Sequence, residues 1–410
     1  MPRVVLVTGK GGVGKTTTAA AAAVAAARSG VRTLVVSTDA AHSLGDALEV
    51  DLATATSWRD STPVGPRLHA LAVGPATAVE ADWAVVRGYL LDVLEAMGVD
   101  PVVADELSAL PGAEEIVALV VLAHQAASGQ WDLIVVDCAP TAETLRLLAL
   151  PEVLGWHLDR LLPAQRRMLT VLRPAASAAS GVPVPGPDVV SVLVEWKELM
   201  GRVRALLTSP RTSVRVVLTP ERVVVAESRR MLTSLSLHGY AVDAVVVNRL
   251  VPAPPAGAVA DPWRSAWLQV QKEGVASVQQ SFAGIPLLRA PHAAGEPTGT
   301  DALAALAAAT VTDPAGPGLP ELLADVDVPR TRVEPVGEDF VLHLPLPFAS
   351  AGEVAMVRRE DDLVVEVAGQ RRVVTLPSVL RRCVAMDAEV GDGELRIRFE
   401  RDLEVWASGR

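Results

Sequence analysis

The sequence predicts an α/β protein. A doubly wound, mostly parallel sheet carries an inserted helical subdomain and is followed by a C-terminal all-β sandwich. Three observations lead there. A glycine-rich turn, G-K-G-G-V-G-K-T at residues 9–16, stands between an apolar run and an alanine-rich stretch. Short apolar runs then recur between helical stretches, as buried parallel strands do. Beyond residue 332 the hydrophobic period changes from helical to two.

The elements follow in order. Val4–Thr8 is continuously apolar and reads as a strand covered on both faces. A helix from about Thr16 to Arg28 follows the turn and closes at Ser29-Gly30. Its apolar run, Ala19–Ala27, is shorter than the roughly 20 residues that a membrane span needs, so a packed helix is expected. Thr33–Ser37, Leu133–Val136, Val214–Leu218 and Ala244–Val247 read as four more buried strands, the second of them ending at Asp137. Between Asp82 and Ser209 the pattern is mostly helical, interrupted near 131–150. Val189, Val192, Leu193, Trp196, Leu199, Met200, Val203, Leu206 and Leu207 share one helical face. Pro174–Pro187 reads as a loop. The first domain is therefore expected over 1–312, a linker over 313–332 and the β domain over 333–405.

Composition narrows the function. Half of the 410 residues are hydrophobic, enough for a sizeable core, and the net charge of −11 argues against a chain that coats nucleic acid. Its two cysteines, Cys138 and Cys383, cannot build a disulfide framework or a zinc motif by themselves. They fit a reducing compartment. Met1-Pro2-Arg3 runs straight into the first strand without a signal-peptide layout, so a cytoplasmic location is expected.

Residues 9–16 satisfy G-x-x-x-x-G-K-[ST]. Successive N–H groups of such a turn point at phosphate. Gly11, Gly12, Val13, Gly14, Lys15, Thr16 and Thr17 are thus expected around the phosphates of ATP. Lys15 would hold the β- and γ-phosphates, and the Thr16 hydroxyl would hold Mg²⁺. The bland alternative is a plain turn, which the strand–turn–helix context disfavours. Asp39 and Asp137 both end buried strands, where a parallel sheet presents ligand groups. Either could instead cap a helix.

Lys10 exceeds the generic motif. K-G-G-x-G-K-[ST] resembles the deviant phosphate loop, and Val35–Leu48 (VVSTDAAHSLGDAL) and Ile134–Leu148 (IVVDCAPTAETLRLL) resemble the two switch segments of the ArsA-type ATPases. That family includes arsenite-pump and tail-anchored-protein-targeting ATPases. Pro111-Gly112 with Glu115, Asn248-Arg249-Leu250 and Ile285-Pro286-Leu287-Leu288 are similar to further family segments. The resemblance implies that Lys10 reaches across a homodimer to the partner's nucleotide. It implies that Asp39 positions the attacking water and that Thr16, Asp39 and Asp137 surround the metal. Asn248, Pro286 and Leu287 are implied adenine contacts. The chain departs from the family pattern at Ala40, which stands for Pro, at Cys138, which stands for Thr, and at Ala142-Glu143, which stand for Gly-His.

One phosphate loop and two distant cysteines set the chain apart from arsenite pumps with two ATPase halves and a cysteine cluster. The C-x-x-C zinc clasp of the eukaryotic targeting factors is absent too, so a homodimer must rest on other contacts or on shared nucleotide. The tail, with Ala388 followed by Gly393-x-Leu395-x-Ile397-x-Phe399, resembles an α-crystallin-like small heat-shock domain. Leu403-Glu404-Val405 is similar to the docking tripeptide of such proteins. Together these imply a Mg²⁺-dependent, nucleotide-switched homodimeric ATPase that handles hydrophobic protein segments beside a peripheral membrane partner. The competing readings are an arsenite-efflux ATPase subunit and an ATP-binding holdase with little hydrolysis. The Val189–Leu207 stripe, with Tyr89–Leu94 and Ile116–Leu122, either lines an apolar client groove or packs internally.

Overall fold

The computed structural model describes residues 1–38, 43–52, 54–55, 61–73, 113–139, 148–149, 187–255, 261–312, 323–328, 331–367 and 369–402, with positions 88, 91, 257 and 259. Its centre is β1 (Arg3–Thr8), every residue of which is buried. β6 (Leu133–Asp137) and β7 (Thr212–Leu218) flank it, both parallel. Beyond β6 lie β2 (Thr33–Ser37), β5 (Leu68–Val73) and β3 (Thr54–Ala55), again parallel. Beyond β7 lie β8 (Val242–Leu250) and β9 (Leu287–Pro291). Two antiparallel strands complete the ten-stranded sheet: β10 (Val311–Thr312) on β9 and β4 (Thr62–Gly65) on β5.

Side chains of β1 alternate between two cores, as the period of a strand requires. Val5 and Val7 face one core with α1 (Lys15–Arg28), α2 (Ser43–Leu48) and α7 (Gly299–Ala309). Val4 and Leu6 face the other, with α3 (Ala113–Ala127), α4 (Pro187–Leu207), α5 (Arg222–Leu237) and α6 (Pro262–Ser281). Helices on both faces make the sheet doubly wound, as expected. Each fully buried Val or Leu contributes about 1.5–3 kcal/mol. The alanines of α1 bury little area each, but their small size lets the helix lie close to the sheet beneath the glycine turn.

The five expected strands are present, with ends shifted by up to three residues. β3, β4 and β5 have no counterpart in the sequence reading. Leu68-His69-Ala70-Leu71-Ala72 has no β-branched residue before Val73, so its strand character comes from pairing with β2. The α4 stripe is internal. Trp196, Met200, Val203, Leu206 and Leu207 share a core with Val117–Leu119 of α3, and Val192, Leu193 and Leu199 pack against it. Of the two alternatives for this stripe, the structure shows internal packing. Tyr89–Leu94 (apart from position 91), the loop residues 174–186, Pro111-Gly112, Ala142-Glu143 and Leu403-Glu404-Val405 lie outside the described residues.

The tail is all-β. β11 (Arg332–Val336), β12 (Asp339–Pro345), β17 (Glu394–Arg401) and β16 (Cys383–Gly391) form one antiparallel sheet in that order. β13 (Val354–Arg359), β14 (Asp362–Val367) and β15 (Gln370–Thr375) form a second. Between them lie Leu342, Leu344, Leu363, Val365, Leu395, Ile397 and Phe399, all at alternate positions. Leu237, the last residue of α5, belongs to this same core. The Thr233 hydroxyl donates to the Pro347 carbonyl, and the Arg372 guanidinium donates to the Leu237 carbonyl. Phe348 meets Phe282 edge-on, with ring centroids 6.0 Å apart.

Candidate nucleotide site

The glycine turn emerges from the carboxyl end of β1 and enters α1. Gly14 occupies the N-cap with φ 92°, a left-handed conformation that glycine adopts without penalty. A Cβ there would stand 2.3 Å from Asn248 Nδ2. At Gly9 a Cβ would stand 2.1 Å from the Val217 carbonyl oxygen. Both glycines are therefore required by close approach. A Cβ at Gly11 or Gly12 would meet no atom within 4 Å, so the turn is an open cradle. No side chain caps α1 and no acidic residue stands in its first turn. Its amino-terminal N–H groups and helix dipole thus favour an anion.

Lys15 is buried, and its ammonium donates to the Lys10 carbonyl at 3.4 Å. The Thr16 and Ser43 hydroxyls are 3.2 Å apart, which ties the turn to the start of α2. Asp137 is fully buried at the carboxyl end of β6, in register with Val7 of β1 and Ser37 of β2. Thr38 closes the gap between those strands. Its N–H donates to the Asp137 carbonyl at 2.9 Å, and its hydroxyl accepts from the Ala139 N–H at 3.2 Å. Asp39, the next residue, lies outside the described residues. Cys138 donates its N–H to the Val7 carbonyl and its side chain is buried.

A cavity of about 380 Å³ adjoins the turn, bounded by Gly14 and Thr17 on one side and by Asn248, Pro291, Ala293 and Pro297 on the other. Asn248 donates its side-chain amide to the Val13 carbonyl at 2.8 Å and so joins β8 to the turn. Pro286 and Leu287 lie away from this cavity. They stand where β9 begins, and the Pro286 carbonyl accepts from Val245 N–H. In a parallel sheet that is the edge opposite the phosphate turn. The segment 291–297, after β9, lines the cavity instead. A larger cavity of about 810 Å³ opens at that opposite edge, where Arg32 and Arg211 are already paired with Asp132 and Asp325.

An open cradle of N–H groups, a buried lysine, a hydroxyl and a buried carboxylate at one sheet edge fit a nucleoside triphosphate and a hard divalent cation. Lys10, Ser43, Thr38 and residues 291–297 complete the surroundings. Sequence reasoning missed the last three because short polar residues and a loop carry no periodic signal. It missed Glu227 as well. That residue lies on α5, and its carboxylate sits 3.3 Å from the Lys10 ammonium.

Comparison with known proteins agrees with this geometry. A family model described as an anion-transporting ATPase matches residues 2–312. A second, described as an HSP20-like domain found in ArsA, matches residues 337–399. An uncharacterized protein of Streptomyces coelicolor is 38% identical over the whole length of both chains. A Chlorobaculum tepidum protein, provisionally named an arsenical pump-driving ATPase, is 31% identical over 98% of this chain and 96% of its own. ATPase GET3B of Arabidopsis thaliana is 34% identical over 60% of this chain and 64% of its own.

Proposed function

The chain belongs to the anion-transporting (ArsA) ATPase family, and on that premise we propose that it is a Mg²⁺-dependent ATPase working as a nucleotide-switched homodimer that handles apolar protein segments. The observation that carries the reading is the convergence of the uncapped α1 terminus, Lys15, Thr16 and Asp137 on one sheet edge beside the cavity under Asn248. The turn binds and orients the phosphates. Lys15 stabilises charge on the transferring phosphoryl group. Thr16, Asp39 and Asp137 surround the cation, which when bound supplies neutralisation of the phosphate oxygens. Asp39 orients the attacking water. Lys10 of one protomer reaches the nucleotide of the other and makes closure depend on ATP.

Support for an apolar client comes from the tail. Met356 and Val357 on β13 and Val384 and Met386 on β16 are exposed, and both strands lie at the edges of their sheets. Edge strands offer backbone hydrogen bonds to an added chain. The test is ATP turnover and nucleotide-dependent mass of the purified protein. Lys15→Ala is expected to abolish hydrolysis, and turnover at the wild-type rate would overturn the ATPase reading. Lys10→Ala that still dimerises with ATP would overturn the trans role of that lysine alone.

An ATP-binding holdase is the second reading, motivated by Ala142-Glu143 in place of the family's Gly-His. Phosphate release in a single turnover decides between the two. Arsenite efflux gains no support, because Cys138 is buried beside the central sheet and Cys383 in the core of the β tail.

A further inference from the structure

The Lys10 ammonium is held within its own protomer. Glu227 Oε2 lies 3.3 Å away, and the two side chains are 39% and 29% exposed. Glu227 stands in the second turn of α5, six residues before Thr233 and ten before Leu237. At 1.5 Å per residue those steps are roughly 9 and 15 Å. At the far end α5 is locked to the β tail. Leu237 is buried in the tail's own core, its carbonyl accepts from Arg372, and the Thr233 hydroxyl donates to the Pro347 carbonyl. A second contact runs alongside. Arg229 donates to Ser281 of α6, which ends at Phe282 against Phe348. Gly274 of α6 lies so close to the Pro220 carbonyl that a Cβ would stand 2.1 Å from it, so α6 is seated against the segment that leads into α5.

We propose that Glu227 is the positioning residue of Lys10, and that α5 is the element through which the phosphate turn and the β tail act on each other. This rests on the nucleotide-binding reading given above. Lys10 can bond Glu227 or reach a nucleotide, but a single ammonium on one stem cannot do both at separated points. Engagement with phosphate therefore releases Glu227. α5 is exposed at its start and buried at Val225, Ser228 and continuously over Met231–Leu237, so a shift of the helix at residue 227 is delivered at residues 233–237. There the receiver is the β tail: Pro347, Phe348 and the start of β15. By linkage the effect is reciprocal, so a segment bound on the tail alters how readily Lys10 leaves Glu227. A half-exposed ion pair of this kind is weak, which suits a contact that must break in every cycle.

The experiment is hydrogen–deuterium exchange on the full-length protein, with and without Mg²⁺ and a non-hydrolysable ATP analogue. Nucleotide affinity is read in parallel from a fluorescent ATP derivative. In the wild type the analogue is expected to change exchange at least twofold in α5 and in peptides covering 345–350 and 369–376. Glu227→Gln is expected to remove the change in the tail peptides while the phosphate turn still responds. Arg372→Ala, at the tail end, is expected to bind the analogue as the wild type does and to lose the tail response. In Lys10→Ala protein, the further change Glu227→Gln is expected to have no additional effect, because the pair is already broken. A tail that stays silent when wild-type protein binds the analogue would overturn the inference and leave the ATPase reading standing. So would a tail response that survives Glu227→Gln. Wild-type protein that binds no nucleotide would overturn both.

Discussion

Asn248 and Val13 are far apart in the chain, yet the Asn248 amide donates to the Val13 carbonyl at 2.8 Å. The bond clamps the crest of the glycine turn to the end of β8 and places Asn248 at the wall of the cavity beside Gly14. Asn248→Ala removes this bond, a net effect of about 1 kcal/mol, and also the one that Asn248 Oδ1 accepts from the Arg249 N–H. Nucleotide affinity is expected to fall roughly fivefold. Titration with a fluorescent ATP derivative checks this, and an unchanged Kd would remove Asn248 from the site.

Gly14 and Gly11 are expected to differ sharply. At Gly14 an added Cβ meets Asn248 Nδ2 and the residue is left-handed, so Gly14→Ala is expected to lose about 1–3 kcal/mol of stability. At Gly11 the added atom meets nothing, and Gly11→Ala is expected to melt as the wild type does. Thermal unfolding of the two variants side by side is the measurement.

Asp243 holds two arginines at once, Arg215 at 2.7 Å and the almost fully buried Arg3 at 3.3 Å. Burial pushes the Arg3 pKa down to about 10, with Asp243 opposing the shift. Asp243→Asn strips the counter-charge from both and is expected to destabilise the protein by about 3–5 kcal/mol. A chemical-denaturation midpoint within error of the wild type would contradict the assignment.

Asp132 forms a two-point pair with Arg32 across the loop before β6. The Arg32 hydrogen bond holds the Asp132 carboxyl below the usual carboxylate range, against a smaller opposing effect of burial. A carboxyl depressed in the folded state stabilises above its unfolded pKa near 4, and the contribution is lost as pH falls through the lower folded value. The melting temperature of Asp132→Asn is therefore expected to lie slightly below the wild type at pH 7. The gap is expected to shrink below about pH 4. A gap that widened on acidification would refute the pairing.

The legible parts share a physical cause. Val4–Thr8, the glycine turn and the alanine helix are local: each follows from neighbouring residues and from the geometry they impose. The β tail was legible for the same reason, since Leu395, Ile397 and Phe399 alternate whatever they pack against. Leu68–Val73 was not legible, because its strand depends on pairing with Thr33–Ser37. Pro286 and Leu287 stand where β9 begins, a placement set by sheet register and not by the local pattern. Only the sheet shows that the segment from Pro291, at the end of β9, lies beside the glycine turn.

By itself the sequence determined the fold class, the glycine turn between β1 and α1 and the family, because a close backbone approach demands glycines at set spacing. It also marked Lys10 as unusual. The partners of these residues were decided only by tertiary structure. The Lys10–Glu227 pair, the Asn248–Val13 bond and the seating of Leu237 in the β tail join positions that no local pattern relates. They exist because the parallel sheet gathers distant strand ends at one edge, and because one helix is long enough to reach from that edge to the second domain.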